Sequence, residues 1–125
     1  MAASVLNITI EQGSDYVAIL TLSDPLSTPI NLTGSSFRGY ISTETQGASV
    51  AEFSFEILNQ TTNTGQVRWY MENTVTQNIP TNSVSAADTT FTSTEYLYDV
   101  EMVDAGGVVT RILRGKASVS PEVTK

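Results

Sequence analysis

Two pairs of carboxylates stand at strand spacing in this chain, Glu52 with Glu56 and Asp99 with Glu101. Paired acids can divide acid and base work, but only where they converge on one point and their pKa values are pushed apart. These alternate with Phe53, Phe55 and Ile57 and with Val100 and Met102, the spacing that solvates the outer face of a strand. Asp24 and Asp104 fall in turn-rich stretches where a carboxylate could ligate Ca²⁺, yet no Asp-x-Asp-x-Asp-Gly pattern surrounds either, and turn capping accounts for them. Trp69, Tyr70, Tyr96 and Tyr98 could make an aromatic platform for a sugar; Trp69, however, shares a face with Val67 and Met71, which is the signature of a core stripe. The chain has no His and no Cys. That removes the usual neutral-pH base, the commonest metal ligand and the thiolate nucleophile together. The expectation is a protein without catalytic residues, cofactor or metal. The sequons at Asn7, Asn31 and Asn59 are what so Thr-rich a chain contains by chance.

Charge points the same way. A net charge of −7 opposes nucleic-acid binding, which draws its affinity from phosphate neutralisation by Lys and Arg. The charge is unevenly spread: residues 1–110 hold all but one of the carboxylates against only Arg38 and Arg68, whereas Arg111, Arg114, Lys116 and Lys125 gather at the C-terminal end beside Glu122. An acidic body with a basic edge can dock on copies of itself or on another acidic protein. The simpler reading pairs these cations with Asp99 and Glu101 across a hairpin. The N-terminal segment has neither a basic region nor a continuous apolar run, so neither a signal peptide nor a membrane span is expected.

The elements that must position these residues are strands. Leu6, Ile8 and Ile10 alternate with polar residues and end at Gln12-Gly13; Val17 to Leu22 is more continuously apolar; Asp24 to Pro29 is a proline loop. Phe37, Gly39 and Ile41 share a face, with Gly39 marking a bulge or a close backbone approach. Phe53, Phe55 and Ile57 point inward, as do Val67, Trp69 and Met71. Tyr96 to Val103 and Val108 to Arg114 flank Asp104-Ala-Gly-Gly107, a hairpin whose expected register sets Val100 opposite Ile112 and Glu101 opposite Arg111, with a salt bridge between the latter two. Residues 73–94 read as a long crossover loop with one short helical turn near 73–78. At 125 residues this is one domain, and about seven strands at such intervals describe an immunoglobulin-like antiparallel β-sandwich.

The order of these elements, with Ile8-Thr-Ile-Glu-Gln-Gly13, Pro29-Ile-Asn-Leu-Thr-Gly34 before Phe37, Gly65-Gln-Val-Arg-Trp69, Tyr96-Leu-Tyr-Asp-Val100 and Gly107 to Gly115 followed by Val119 and Pro121, resembles a small domain of tailed-bacteriophage tail and baseplate proteins. That domain is best known at the N-terminus of upper baseplate proteins and as short stand-alone virion proteins. The similarity spans nearly the whole chain, though each mark is short and most are turn grammar: Gly13, Gly34, Gly65, Gly106 and Gly107 supply turns. The resemblance implies a non-enzymatic virion adaptor, made in the host cytoplasm and assembled in many copies in a tail or baseplate, in contact with itself and with other phage structural proteins. It implies no nucleic acid, membrane or small-molecule partner. With the chain stopping at Lys125, a stand-alone adaptor is expected rather than a receptor binder. The interface candidates are Arg111, Arg114 and Lys116 with Val5 and Leu6, the N-terminal or the C-terminal segment adding a strand to a neighbour's edge. The alternatives are a capsid decoration protein and, from another class, a carbohydrate-binding adhesin module.

Overall fold

A computed structural model of the chain describes residues 3–88 and 90–124. Alternation of apolar and polar side chains generates nine strands: β1 (Ser4–Val5), β2 (Ile8–Glu11), β3 (Tyr16–Thr21), β4 (Ser36–Ser42), β5 (Ser49–Glu52), β6 (Ser54–Ile57), β7 (Gln66–Met71), β8 (Thr94–Val103) and β9 (Val109–Ser120). One helical turn, α1 (Asn73–Thr76), follows β7. The strands form two sheets. In the larger, β4 lies between β5 and β8, β8 pairs with β9, and β9 carries β1 and β2 on its far side; in the smaller, β7 lies between β3 and β6. The central β4, β8 and β9 correspond to the C, F and G strands of an immunoglobulin-type sandwich and β3, β7 and β6 to its B, E and D strands. Among the described residues the strand pairings are antiparallel with two exceptions: β1 and β2 both run parallel to β9, along the same edge of it.

The strand pattern accounts for the core. Val67, Trp69, Ile41, Val100 and Val119 are fully buried, with Ile10, Met71 and Phe53 beside them. At the centre, Trp69 stacks on Tyr98 at 5.6 Å and meets Phe53 and Tyr16 edge-on at 5.1 and 5.2 Å. These are geometries that ring quadrupoles favour. The indole Nε1 has no hydrogen-bond partner among the described residues, so Trp69 contributes through packing alone. Gly39 is the close approach that its position in the strand pattern announces: a Cβ there would lie 2.9 Å from the Asp99 carbonyl oxygen and 3.3 Å from the Phe53 ring. The sandwich can close at this point because β4 has no side chain there.

The chain's two ends are tied together by Gln12. Its Nε2 donates to the Ile79 carbonyl at 2.8 Å, and its Oε1 accepts from the Glu122 amide at 2.9 Å. Beside it, the fully buried Thr76 accepts from the Gly13 amide and donates to the Ser14 carbonyl. One turn thereby anchors the helix, the crossover segment and the C-terminal tail, and the buried polar groups are satisfied as burial demands. Residues 77–93 contain no helix or strand among those described, and Tyr96 Oη holds this segment through the Pro80 carbonyl.

Burial pushes the phenols of Tyr16 and Tyr98 up to about 12. A folded pKa above the unfolded value of about 10 stabilises the fold below pH 10, a contribution lost as pH rises through 12. In an ultraviolet tyrosinate titration, late ionisation is therefore expected to coincide with alkaline unfolding between these limits. Tyr16→Phe should move that unfolding to higher pH, and an unmoved transition would show that it has another cause.

Candidate interaction surface

The hairpin register departs from the regular one expected. Glu101 does stand opposite Arg111, but Val100 pairs with Leu113 rather than Ile112, because β9 carries one extra residue at this point. Ile112 and Leu113 together oppose Val100 in a β-bulge. Both lie against the core, Ile112 buried and Leu113 half-buried. The consequence lies on the other face. Arg111 and Arg114 are three residues apart and would face opposite sides of a regular strand. The bulge restores them to one side, where Arg111, Arg114 and Lys116 are all exposed.

These three cations line a shallow cleft on the outer face of the larger sheet together with the carboxylates of Asp99 and Glu44, and with Val5 from the N-terminal segment, Leu97 from β8 and Tyr40 from β4. The expected ion pairing is redistributed. Glu101 bonds to Arg38 on the neighbouring β4 at 2.7 Å, leaving Arg111 to reach Asp99 at 3.3 Å. Exposed pairs of this kind add at most about 1 kcal/mol each. Arg114 and Lys116 have no ion pair among the described residues. Across the cleft, hydrogen bonding to Glu52 and that carboxylate's negative charge raise the pKa of Tyr40.

Four of the five sequence-derived interface residues, Val5, Arg111, Arg114 and Lys116, share this cleft. Leu6 adjoins it, its amide donating to the Arg114 carbonyl at 2.9 Å. The N-terminal segment thus occupies its own chain's β9, with Ser4 opposite Leu113 and Val5 opposite Arg114, whereas sequence reasoning sent it to a neighbour. Three side-chain features hold it, none of them flagged by the strand pattern. Tyr98 Oη donates to the Leu6 carbonyl at 2.6 Å. Asn7 Oδ1 accepts from the Lys116 amide at 3.0 Å, standing in for a backbone acceptor between β1 and β2. Gly115 leaves the room, since any Cβ there would coincide with the Leu6 carbonyl.

Of the expected turn glycines, Gly13, Gly34, Gly65 and Gly107 adopt φ values between 81° and 86°, and Gly106 lies inside the β8–β9 turn. They shape corners and lie outside the cleft lining. The acid pairs singled out for chemistry stay on outer faces: Asp99 and Glu101 are each tied to an arginine, and Glu56 sits 3.8 Å from Arg68. Trp69, which a sugar platform would need exposed, is buried. Among the described residues, no three His, Cys, Asp or Glu side chains gather as a metal site requires, and no helix is long and apolar enough to cross a membrane.

Gly115→Ala is expected to lift residues 3–7 off β9 while leaving the core intact. Hydrogen exchange should quicken at Leu6 and Lys116 by at least about tenfold, the loss of a protecting bond worth about 1.4 kcal/mol. Unchanged protection at both amides would mean that the segment is held by something other than this close approach. No protein-family model and no curated protein matches this sequence.

Proposed function

We propose that this chain is a non-enzymatic structural protein of a tailed-phage virion, an adaptor that assembles in several copies in the tail or baseplate. The observation that carries the reading is the cationic cleft. Four of the five described basic residues, Arg38, Arg111, Arg114 and Lys116, stand on the outer face of the larger sheet, in a protein of net charge −7. Asp99, Glu101 and Glu52 stand on that face too, and Glu44 and Asp99 line the cleft. Asp99 and Glu101 are taken up by Arg111 and Arg38, however, which leaves Arg114 and Lys116 without an ion pair among the described residues. Asp15, Asp24, Glu56, Glu72 and Glu122 lie elsewhere, with Arg68 the remaining described cation. Such polarity suits a head-to-tail contact, in which the basic cleft of one copy receives an acidic surface of the next. Contacts of that kind close into rings when the rotation allows, and repetition round the ring multiplies a modest interface. Val5 and Leu97 add apolar area to the cleft and Tyr40 a ring, so that the charges steer and the apolar contacts hold. The motif combination that resembles the baseplate domain supports the same assignment: its Gln-Gly corner is the turn that ties both chain ends together.

Quantitative mass spectrometry of purified particles tests this proposal. On the order of tens of copies per particle, in a multiple set by cyclic symmetry, is the expected count. A charge-reversed Arg114→Glu/Lys116→Glu chain should fold with an unchanged melting temperature yet be under-represented in the particles. Copies approaching those of the major capsid protein would move the chain to the head as a decoration protein. Absence from the particles, or equal incorporation of the charge-reversed chain, would overturn the adaptor reading.

A further inference from the structure

The smaller sheet ends at β3, and this edge differs from the others. β2, β5 and β6 each carry a glutamate, Glu11, Glu52 and Glu56 respectively, a common defence of an open edge against unwanted pairing. β1 is two residues long and β3 is six. Through Tyr16-Val-Ala-Ile-Leu-Thr21, β3 has no charge, no proline and no bulge, and its register with β7 is unbroken. Its inward residues, Tyr16, Ala18 and Leu20, pack against the core, while Val17 and Ile19 face solvent at 52% and 50% exposure. Two β-branched apolar side chains are thus exposed side by side on an unprotected edge of an acidic protein.

The backbone of this edge is free to pair. Leu22 donates its amide to the Gly65 carbonyl, and Leu20 stands opposite Val67. By the two-residue alternation of an antiparallel ladder, Leu20, Ala18 and Tyr16 turn their N–H and C=O groups toward β7, so those of Val17, Ile19 and Thr21 point away from the sheet. Among the described residues, no strand lies on that side.

We propose that β3 is a pairing edge through which two copies of this chain join, strand against antiparallel strand, across a two-fold axis at Ala18. The sequence is self-complementary in that register. Val17 of each copy stands opposite Ile19 of the other on the outer face, and Tyr16 opposite Leu20 on the inner face, with all four pairs apolar. Val17 and Ile19 are also the residues whose backbone groups point outward, so the apolar pairs coincide with the hydrogen-bonded ones. No like charges meet along the strand, which a second copy of a −7 chain needs more than an uncharged partner would. The result is one continuous six-stranded sheet built from two three-stranded ones. A six-residue edge buries less than a stable standard interface, so the isolated pair is weak and gains strength where copies are already gathered. This contact uses the opposite sheet from the cationic cleft and is independent of the virion assignment.

The absence of cysteine makes the register directly testable. Val17→Cys and Ile19→Cys chains are mixed and oxidised. Opposite residues lie within disulfide reach, whereas like positions of the two copies are diagonal neighbours about 7–8 Å apart and beyond it. The mixture should give a linked dimer far in excess of either chain alone. In sedimentation equilibrium, the unmodified chain should form a dimer whose Kd rises more than about tenfold in Val17→Lys/Ile19→Lys, equivalent to about 1.4 kcal/mol. The melting temperature of that variant should hold, because both side chains face solvent. A milder Val17→Thr/Ile19→Thr pair serves if the lysines impair folding, and Arg114→Glu/Lys116→Glu should leave the dimer intact. A chain that stays monomeric up to about 1 mM, a dimer indifferent to both edge variants, or equal cross-linking in the single-cysteine chains would each overturn the proposal.

Discussion

One extra residue in β9 sets most of what this molecule presents to its surroundings. Ile112 and Leu113 share a single partner, Val100, and this bulge returns the strand's alternation to register after Arg111. Without it, Arg111 and Arg114 would lie on opposite faces, and one cation would point into an aromatic core whose Trp69 has no exposure at all. Burying an unpaired guanidinium there would cost several kcal/mol. The hydrophobic core therefore enforces the bulge as firmly as the hairpin turn does, and the cationic cleft follows from packing on the other side of the sheet.

β9 is also where the chain's two ends meet. It pairs antiparallel with β8 along its length and parallel with β1 and β2 on its other edge, so β1 and β2 are fixed by a strand about a hundred residues further along the chain. A parallel pairing between segments more than a hundred residues apart is expensive in loop-closure entropy. Specific side chains offset that cost. Tyr98 and Asn7 hold the N-terminal segment, Gly115 admits it, and Gln12 clamps the following turn to the tail. By contrast, the β5–β6 side needs little help: the chain passes from one sheet to the other across Phe53, whose amide bonds to the Gly39 carbonyl. The sandwich is thus closed by its own backbone on one side and by side-chain chemistry on the other, with β3 left as a bare edge.

Much of this was legible in the sequence, because period-two alternation reports which side chains face a core. Phe53, Val67, Trp69 and Met71 lie inside as their spacing requires, Gly39 permits the close approach expected of a strand glycine, and the helical turn falls at Asn73–Thr76. The bulge was hidden because Ile112 and Leu113 are both apolar, and either can serve as Val100's partner in a pattern read one residue at a time. One ion pair differs for a related reason: Arg111 does pair across the hairpin, but with Asp99 rather than Glu101. A two-strand reading of the hairpin gives Glu101 to Arg111, while the third strand, β4, supplies Arg38 at 2.7 Å. Asn7 reads as one more polar residue in the first strand's alternation, and nothing in the spacing round Gly115 announces the close approach of the Leu6 carbonyl. Arg111, Arg114 and Lys116 stand out in the sequence by charge and Val5 by its place in a terminal segment able to add a strand, and their convergence is visible only with the register.

Because the face and the core are coupled through a single bulge, cysteine accessibility along β9 probes the account directly in a chain that has no cysteine of its own. Single cysteines at positions 111 to 114 and at 116 are labelled with a thiol reagent under native conditions. Fast modification at 111, 114 and 116, with two consecutive protected positions at 112 and 113, is the pattern the bulged strand predicts. Strict alternation, with 111 and 113 fast and 112 and 114 slow, would mean a regular strand, and the cationic cleft would not exist as described.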